Sequence, residues 1–440
     1  MLKRKAYHAI KRWKDTKTKQ GLLVTGARQV GKTYIIREFA RDHYARFAEI
    51  NLIENRKAAD TLSAADNAAD LFMRISVLAE SELVPGQTLI FIDEVQVCKE
   101  IVTSIKFLAE QTGFDFILSG SMLGVELKNI RSVPVGYLDT LVMYPLDFEE
   151  FCVANGVPGD ALDAAKGSVR ARTAVPDYIH EKLLSLFHEY LIIGGMPAAV
   201  DAFCASRNIG AVRGIQENLI LLNKQDISKY NERDALVIKN IYDLIPPELN
   251  NQNKRFVLKD MNDHARYGRY RECFIWLAEA GVALPVYNAS EPVYPLKLSQ
   301  ASNLFKLFMG DVGLLTSTFM KDTAIEILNR NPNVNYGSIY ENAVAQELKA
   351  SGFELYYYRN KKLGELDFLV ETPDGTVLPV EVKSGKDYKR HNALANIISS
   401  GIYDLREGFV LCENNVERNG KITYLPVYAA AWLASLLPVR

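Results

Sequence analysis

The chain has 440 residues, enough for about three domains of ordinary size and for an ample core without disulfide or metal staples. Hydrophobic residues make up 48% and charged residues 24%, which excludes wholesale disorder. The 52 basic and 53 acidic side chains give a net charge of -1, so a global basic field for nucleic acid is excluded and any such contact must be a local patch. Five widely spaced cysteines form no CxxC pair, which argues against a disulfide scaffold or a structural zinc site. No apolar leader core follows the N-terminus and no apolar run is long enough to span a bilayer. The expectation is a reduced, cytoplasmic protein without a membrane partner.

The first twenty residues carry eight Lys/Arg and one Asp. Tyr7, Ile10 and Trp13 recur at helical spacing, which predicts a short amphipathic helix. Its basic outer face is either solvated or a nucleic-acid contact. Residues 21–150 alternate apolar runs (Leu22–Thr25, Phe47–Leu52, Thr88–Ile92, Phe114–Leu118) with helical stretches, the pattern of a parallel sheet built of βα units. Residues 151–230 read as mostly helical, with an amphipathic helix from Tyr178 to Ile193 stopped by Gly194-Gly195 and Pro197. Residues 231–320 give short helices, notably Arg269–Ala280, and strands near Val282–Tyr287 and Val293–Leu298. A linker is expected at 321–335. Residues 336–440 form a new α/β unit: a helix over about Ser338–Ser351, then strands at Phe353–Tyr358, Gly364–Glu371 and Thr376–Lys383, the last two joined by a Pro373-Asp374-Gly375 turn.

The strongest chemical signal is Gly26-Ala27-Arg28-Gln29-Val30-Gly31-Lys32-Thr33, a GxxxxGK[ST] run between an apolar strand and a helix. Such a loop cradles phosphates on backbone N–H groups, aided by the helix N-terminus. Lys32 balances the β/γ charge and the Thr33 hydroxyl ligates Mg2+. Some sixty residues on, Leu89–Ile92 leads into Asp93-Glu94. At the C-terminal end of a buried strand, Asp93 would hold Mg2+ and Glu94 would orient the attacking water. Ser119, ending a further strand, is a candidate contact to the γ-phosphate or the water, or simply a strand-to-loop turn. Arg131 is the best available candidate for an arginine finger.

A second constellation lies near the C-terminus. Strand alternation puts Glu365 and Asp367 on one face, and Glu381 and Lys383 on one face of the next strand. Asp367 and Glu381, with Glu341 from the preceding helix, could hold Mg2+ or Mn2+, and Lys383 could stabilise charge developing at a phosphodiester. The alternative is a polar sheet face laced by ion pairs.

The Asp–hairpin–Glu-x-Lys arrangement with Glu341 upstream resembles the core of the PD-(D/E)XK nuclease superfamily. The whole chain resembles a prokaryotic family of AAA+ ATPases with a C-terminal domain of unknown function. The matching pieces are GARQVGKT at 26–33, LIFIDEVQ at 89–96, LSGS at 118–121, YPLDFEEF at 144–151, GGMP at 194–197, YEN at 340–342, ELDFLV at 365–370 and PVEVKSG at 379–385. The resemblance implies an α/β protein with a P-loop ATPase domain at 1–150, a helical extension or lid at 151–230, a winged-helix-like module at 231–320 and a restriction-endonuclease-like domain at 336–440. It implies ATP and Mg2+ at Gly26–Thr33 and Asp93, hydrolysis through Glu94, and Glu341, Asp367, Glu381 and Lys383 in nuclease positions with a second Mg2+ or Mn2+. Relatives often carry a basic residue where this chain has Tyr137, which weakens an arginine sensor there. The winged-helix-like module either serves as a domain-packing spacer or reads DNA, the latter through the local basic cluster of Lys254, Arg255, Lys259, Arg266, Arg269 and Arg271. Residues 331–440, with 12 basic and 13 acidic groups, carry little of a nucleic-acid footprint.

Two functions follow: an ATP-driven enzyme whose nuclease-like domain acts on nucleic acid, or a nucleotide-dependent switch whose C-terminal domain binds a partner without cleaving. Self-assembly is compatible with either. A small-molecule kinase on the same loop fits less well, because Glu94 suits water as acceptor.

Overall fold

The computed structural model describes residues 2–16, 20–120, 136–228, 232–251, 254–257, 267–319, 323–328 and 336–437. The chain divides into two compact units: Leu2–Tyr144 with Glu279–Gly281, and Pro145–Ala278 with Val282–Arg440.

The N-terminal unit is built on five strands, β1 (Gly21–Gly26), β2 (Arg46–Asn51), β3 (Thr88–Asp93), β4 (Asp115–Gly120) and β5 (Leu138–Met143), in the order β2-β3-β4-β1-β5. Every pairing is parallel. Both faces must then be covered, and the strand residues alternate accordingly. Leu23, Ile90, Ile92, Phe116 and Leu118 face helices α3 (Arg56–Ser63), α4 (Ala68–Leu78) and α5 (Lys99–Thr112). Leu22, Val24, Leu89, Phe91 and Ile117 face α1 (Lys5–Thr16) and α2 (Lys32–His43). Each such side chain taken fully out of water contributes about 1.5–3 kcal/mol. Edge strand β5, Leu-Asp-Thr-Leu-Val-Met, is largely solvated and so lacks the apolar run that marks its neighbours. The N-terminal helix buries Ile10 and Trp13 as its periodicity predicts.

In the second unit eight strands form one mixed sheet, in the order β12-β13-β11-β10-β9-β8-β6-β7. They are β6 (Ala283–Ala289), β7 (Gln300–Met309), β8 (Tyr356–Asn360), β9 (Gly364–Glu371), β10 (Val377–Val382), β11 (Gly408–Cys412), β12 (Glu417–Asn419) and β13 (Ile422–Pro426). The antiparallel pair β9–β10 is the expected hairpin, with Val380 opposite Phe368. The sheet crosses the linker expected at 321–335: β6, from the region likened to a winged helix, runs parallel to β8, with Tyr287 opposite Tyr356. The strand expected at Val293–Leu298 is a bend and a short 3-10 turn over Leu296–Ser299. Pro295 accounts for this, having no N–H to give a ladder. Strand β7 begins just after it.

Three of the quoted motifs meet in a buried polar core of this unit. Asp147 caps helix Phe148–Ala154 in a capping box with Glu150. The Tyr190 hydroxyl lies 2.8 Å from both Leu146 O and Glu347 Oε1, and accepts from Gln346 Nε2 at 2.9 Å. Phe148 N donates to the same Glu347 oxygen at 3.0 Å. Asp311 accepts from Gly195 N at 2.7 Å and Leu314 N at 3.0 Å. The Gly194-Gly195 pair is needed for this closeness: a Cβ would stand 2.2 Å from Asp311 Oδ1 at Gly194 and 2.0 Å from Leu146 O at Gly195. Asn342 clamps Met309 through its backbone N–H and C=O at 2.8 and 3.1 Å.

Candidate functional site

The C-terminal ends of four parallel strands converge in the N-terminal unit, where open α/β sheets hold their ligands. Strand β1 runs into the loop Gly26–Gly31, which opens α2 at Lys32. The loop turns through positive φ at Gly26, Gln29 and Gly31. At Gly26 a Cβ would lie 2.0 Å from Met143 O, so no other residue fits. Val30 is buried in the core beneath the loop, whereas Gln29 is exposed and Ala27 and Arg28 are half-buried. Gly31 stands at the N-cap of α2 and has no side chain with which to cap the helix's first N–H groups.

Lys32 is 8% exposed and donates to Gly26 O at 3.0 Å and Ala27 O at 2.9 Å. Burial pushes its ammonium down to about 8, with Glu94 and Asp93 opposing. Asp93, ending β3, is the hub. Thr33 Oγ1 donates to its Oδ2 at 2.9 Å, and Ser119 Oγ, on β4, donates to its Oδ1. Glu94 N also reaches Oδ1, at 3.0 Å. Asn51, opposite Asp93 in the β2–β3 register, brings its Nδ2 to 3.5 Å. Ser119 therefore orients the carboxylate of Asp93. Glu94 sits in the left-handed region at φ 58°, and Gln96 Nε2 holds its Oε2 at 2.6 Å.

The residues fit a nucleotide with Mg2+: N–H groups at a helix start whose N-cap has no side chain, a lysine over them, and a hydroxyl and carboxylate already adjacent. Thr33 and Asp93 would hold the ion, which neutralises charge on the transferring phosphate.

Two contributors were not apparent in the sequence. Asn51 closes an otherwise ordinary strand. Arg4 lies in the N-terminal basic segment, yet it is only 9% exposed and donates to Val30 O at 2.9 Å and to Tyr144 O at 2.7 Å. It fastens the phosphate loop from below. Ser121 and Arg131 lie outside the described residues. The Tyr137 ring receives Lys106 Nζ at 4.3 Å.

In the second unit the structure does bring Glu341, Asp367, Glu381 and Lys383 together, with a residue that sequence reading missed. Lys306, on β7, is 1% exposed and its Nζ stands 3.1 Å from Glu365, 3.5 Å from Glu341 and 3.6 Å from Asp367. Lys254 also bonds Glu341, and Lys383 bonds Glu381 at 2.7 Å. Asp367 Oδ2 accepts from Val382 N at 2.9 Å. Burial and Asp367 push Glu381 up to about 8 against the pull of Lys383. Burial and Asp367 likewise raise Glu341, opposed by Lys306 and Lys254. Burial works to lower Lys306, but Glu341, Asp367 and Glu365 outweigh it and raise it.

This arrangement does not fit the second metal. Mg2+ needs oxygens at about 2.0–2.1 Å, and an ammonium occupies the space the carboxylates share. Among the described residues no group of three or more His, Cys, Asp or Glu side chains is arranged to hold a metal ion. The ion-paired sheet face is the arrangement observed. Lys254 is thereby drawn out of the basic cluster, of which Arg269 and Arg271 are exposed, Arg255 is half-buried, and Lys259 and Arg266 lie outside the described residues.

Sheet, loop and strand-end acid define the N-terminal unit as an AAA-type P-loop ATPase fold. Residues 18–152 match the AAA domain family. Residues 184–324 match a domain of unknown function (DUF8612), and residues 336–429 match another (DUF4143). No curated protein matches the chain. Among solved structures, the chain is similar to the Walker-type ATPase of Pyrococcus abyssi, at 13% identity and TM-score 0.42, over 72% of this chain and 95% of that one. It is also similar to the Aeropyrum pernix ORC1 protein, solved in complex with DNA, at 11% identity and TM-score 0.30, over 75% and 91%. PCH-2 of C. elegans aligns at 14% identity and TM-score 0.27, over 45% and 59%. No helix among the described residues is long and apolar enough to cross a membrane.

Proposed function

We propose that this chain is an ATP-hydrolysing switch whose C-terminal domain binds a partner and does not itself cleave. The observation that supports the first half is Asp93, held by Thr33, Ser119 and Asn51 beside the lysine-bearing loop. ATP binds along Gly26–Thr33 with its phosphates on the loop N–H groups and Lys32. Thr33 and Asp93 hold Mg2+. Glu94, released from Gln96, orients the attacking water and takes its proton. ATP turnover tests this: Lys32→Ala abolishes nucleotide binding, and Glu94→Gln binds ATP but turns over about a hundredfold or more slower. Wild-type turnover by Glu94→Gln overturns the role of Glu94.

The gathering of Glu341, Asp367, Glu381 and Lys383 favours a second reading, in which ATP turnover drives a Mg2+- or Mn2+-dependent nuclease acting on DNA or RNA. The buried Lys306 among those acids weighs against it. Incubation with duplex, single-stranded and branched DNA and with RNA, with Mg2+ or Mn2+ and with or without ATP, decides. Cleavage that Lys383→Ala abolishes establishes the second reading.

A further inference from the structure

The carboxylates that a metal would need are gathered, yet an ammonium on a rigid strand already serves them. Lys306 pairs in register with Val286 and lies between buried Phe305 and Leu307, so β7 sets its direction. Its Nζ packs 5.3 Å from the Tyr357 ring centre. Lys306 itself is 1% exposed, so its ammonium is held by these partners rather than by water. Its three carboxylate partners come from two elements, helix Tyr336–Ala350 (Glu341) and strand β9 (Glu365, Asp367), both brought onto β7. Around it Glu341, Glu365, Asp367 and Glu381 face Lys254, Lys306, Lys383 and Arg359, so the cluster is balanced as it stands. A dication entering here would meet three ammoniums, and expelling Lys306 would leave a buried, unpaired charge.

We infer that Lys306 is a built-in counter-ion standing where a divalent cation would bind, and that one neutral substitution of it opens a divalent-metal site in the C-terminal domain. This rests on the non-cleaving reading of that domain. Without Lys306 four carboxylates face two ammoniums and the Arg359 guanidinium, and Glu341, Glu365 and Asp367 each have the oxygen that Lys306 held open to Mn2+.

The test is titration of Mn2+ into the full chain without nucleotide, with free Mn2+ followed by electron paramagnetic resonance. All proteins carry Asp93→Asn to silence the phosphate-loop site. With Lys306 present, Mn2+ uptake is expected to be indifferent to Asp367→Asn. Lys306→Met is expected to gain one Mn2+ per chain at least tenfold tighter than background, and to lose it again with Asp367→Asn. Lys306→Gln serves if the methionine variant does not fold. Mn2+ uptake by the Lys306 protein that Asp367→Asn removes overturns the inference, as does a folded Lys306 variant that gains none. Uptake of this kind without cleavage refutes the counter-ion alone, whereas metal-dependent cleavage refutes the non-cleaving reading as well.

Discussion

Lys32 makes nucleotide affinity depend on pH in a direction and range that its surroundings fix. Its ammonium is enclosed by the loop, and burial brings it down to about 8. ATP phosphates would favour the charged form strongly, so binding takes up a proton wherever the free protein has lost it. Affinity is therefore fully present below pH 8 and is lost as pH rises through it. Lys32 is about nine-tenths charged at pH 7 and about one-tenth at pH 9, so affinity should fall about tenfold, or about 1.4 kcal/mol. The nucleotide does not contribute over most of this span, since phosphate groups of its kind ionise near pH 6. Calorimetric titration of Mg-ATP at pH 7, 8 and 9, in two buffers of different ionisation enthalpy, reads both the affinity and the proton taken up. Lys32→Arg keeps its charge throughout and should flatten the profile. A flat profile in the wild type, or an equal slope in Lys32→Arg, refutes the reasoning.

Arg4→Ala removes the two carbonyl contacts under the loop. It should weaken ATP binding and lower stability by about 2–4 kcal/mol, measured by nucleotide titration and urea unfolding. Tyr190→Phe leaves Leu146 O, Glu347 and Gln346 short of a buried partner, which should cost about 2–4 kcal/mol in the same unfolding assay. A change below about 0.5 kcal/mol would show that the hydroxyl is dispensable. Asp311 is raised by burial from 3.8 to about 6, against the backbone donors that stabilise its charge. A folded carboxyl raised in this way holds its proton longer than the unfolded one. Its contribution is thus fully present below pH 3.8 and falls as pH rises to about 6, by about 3 kcal/mol in all. The stability of the wild type relative to Asp311→Asn, followed from pH 4 to 7, should decline across that window. A constant difference would contradict it.

What could be read from the sequence was what is local in the chain. Residues 26–33 carry loop, lysine and hydroxyl in one run, and Asp93 closes an unbroken apolar strand. What could not be read lies far away in sequence. Arg4 meets Val30 and Tyr144, 26 and 140 residues on. Lys306 meets Glu341 across 35 residues, and in the chain it is one charge inside Leu-Phe-Lys-Leu-Phe-Met. Nothing local distinguishes such a lysine from a solvent-facing residue of an alternating strand; only the register of β7 against its neighbours turns it inward. Strand β5 was missed for the converse reason, since an edge strand can be polar and still pair.

The quoted motifs beyond the phosphate loop and the strand-end acids act largely by packing. Gly194-Gly195, Asp147, Glu150 and Asn342 each satisfy or admit a buried backbone group in the second unit. A buried polar network restricts residue identity as tightly as catalysis does, because every donor and acceptor deprived of water must find its partner at a fixed place. Glu341, beside Asn342 in the same motif, obeys this rule: its two carboxylate oxygens are taken by Lys254 and Lys306. Ion-pairing of this kind stabilises little in itself, but removing one partner typically costs about 3–5 kcal/mol. Acids gathered as in a nuclease can thus be maintained by the demands of folding alone, once lysines stand among them.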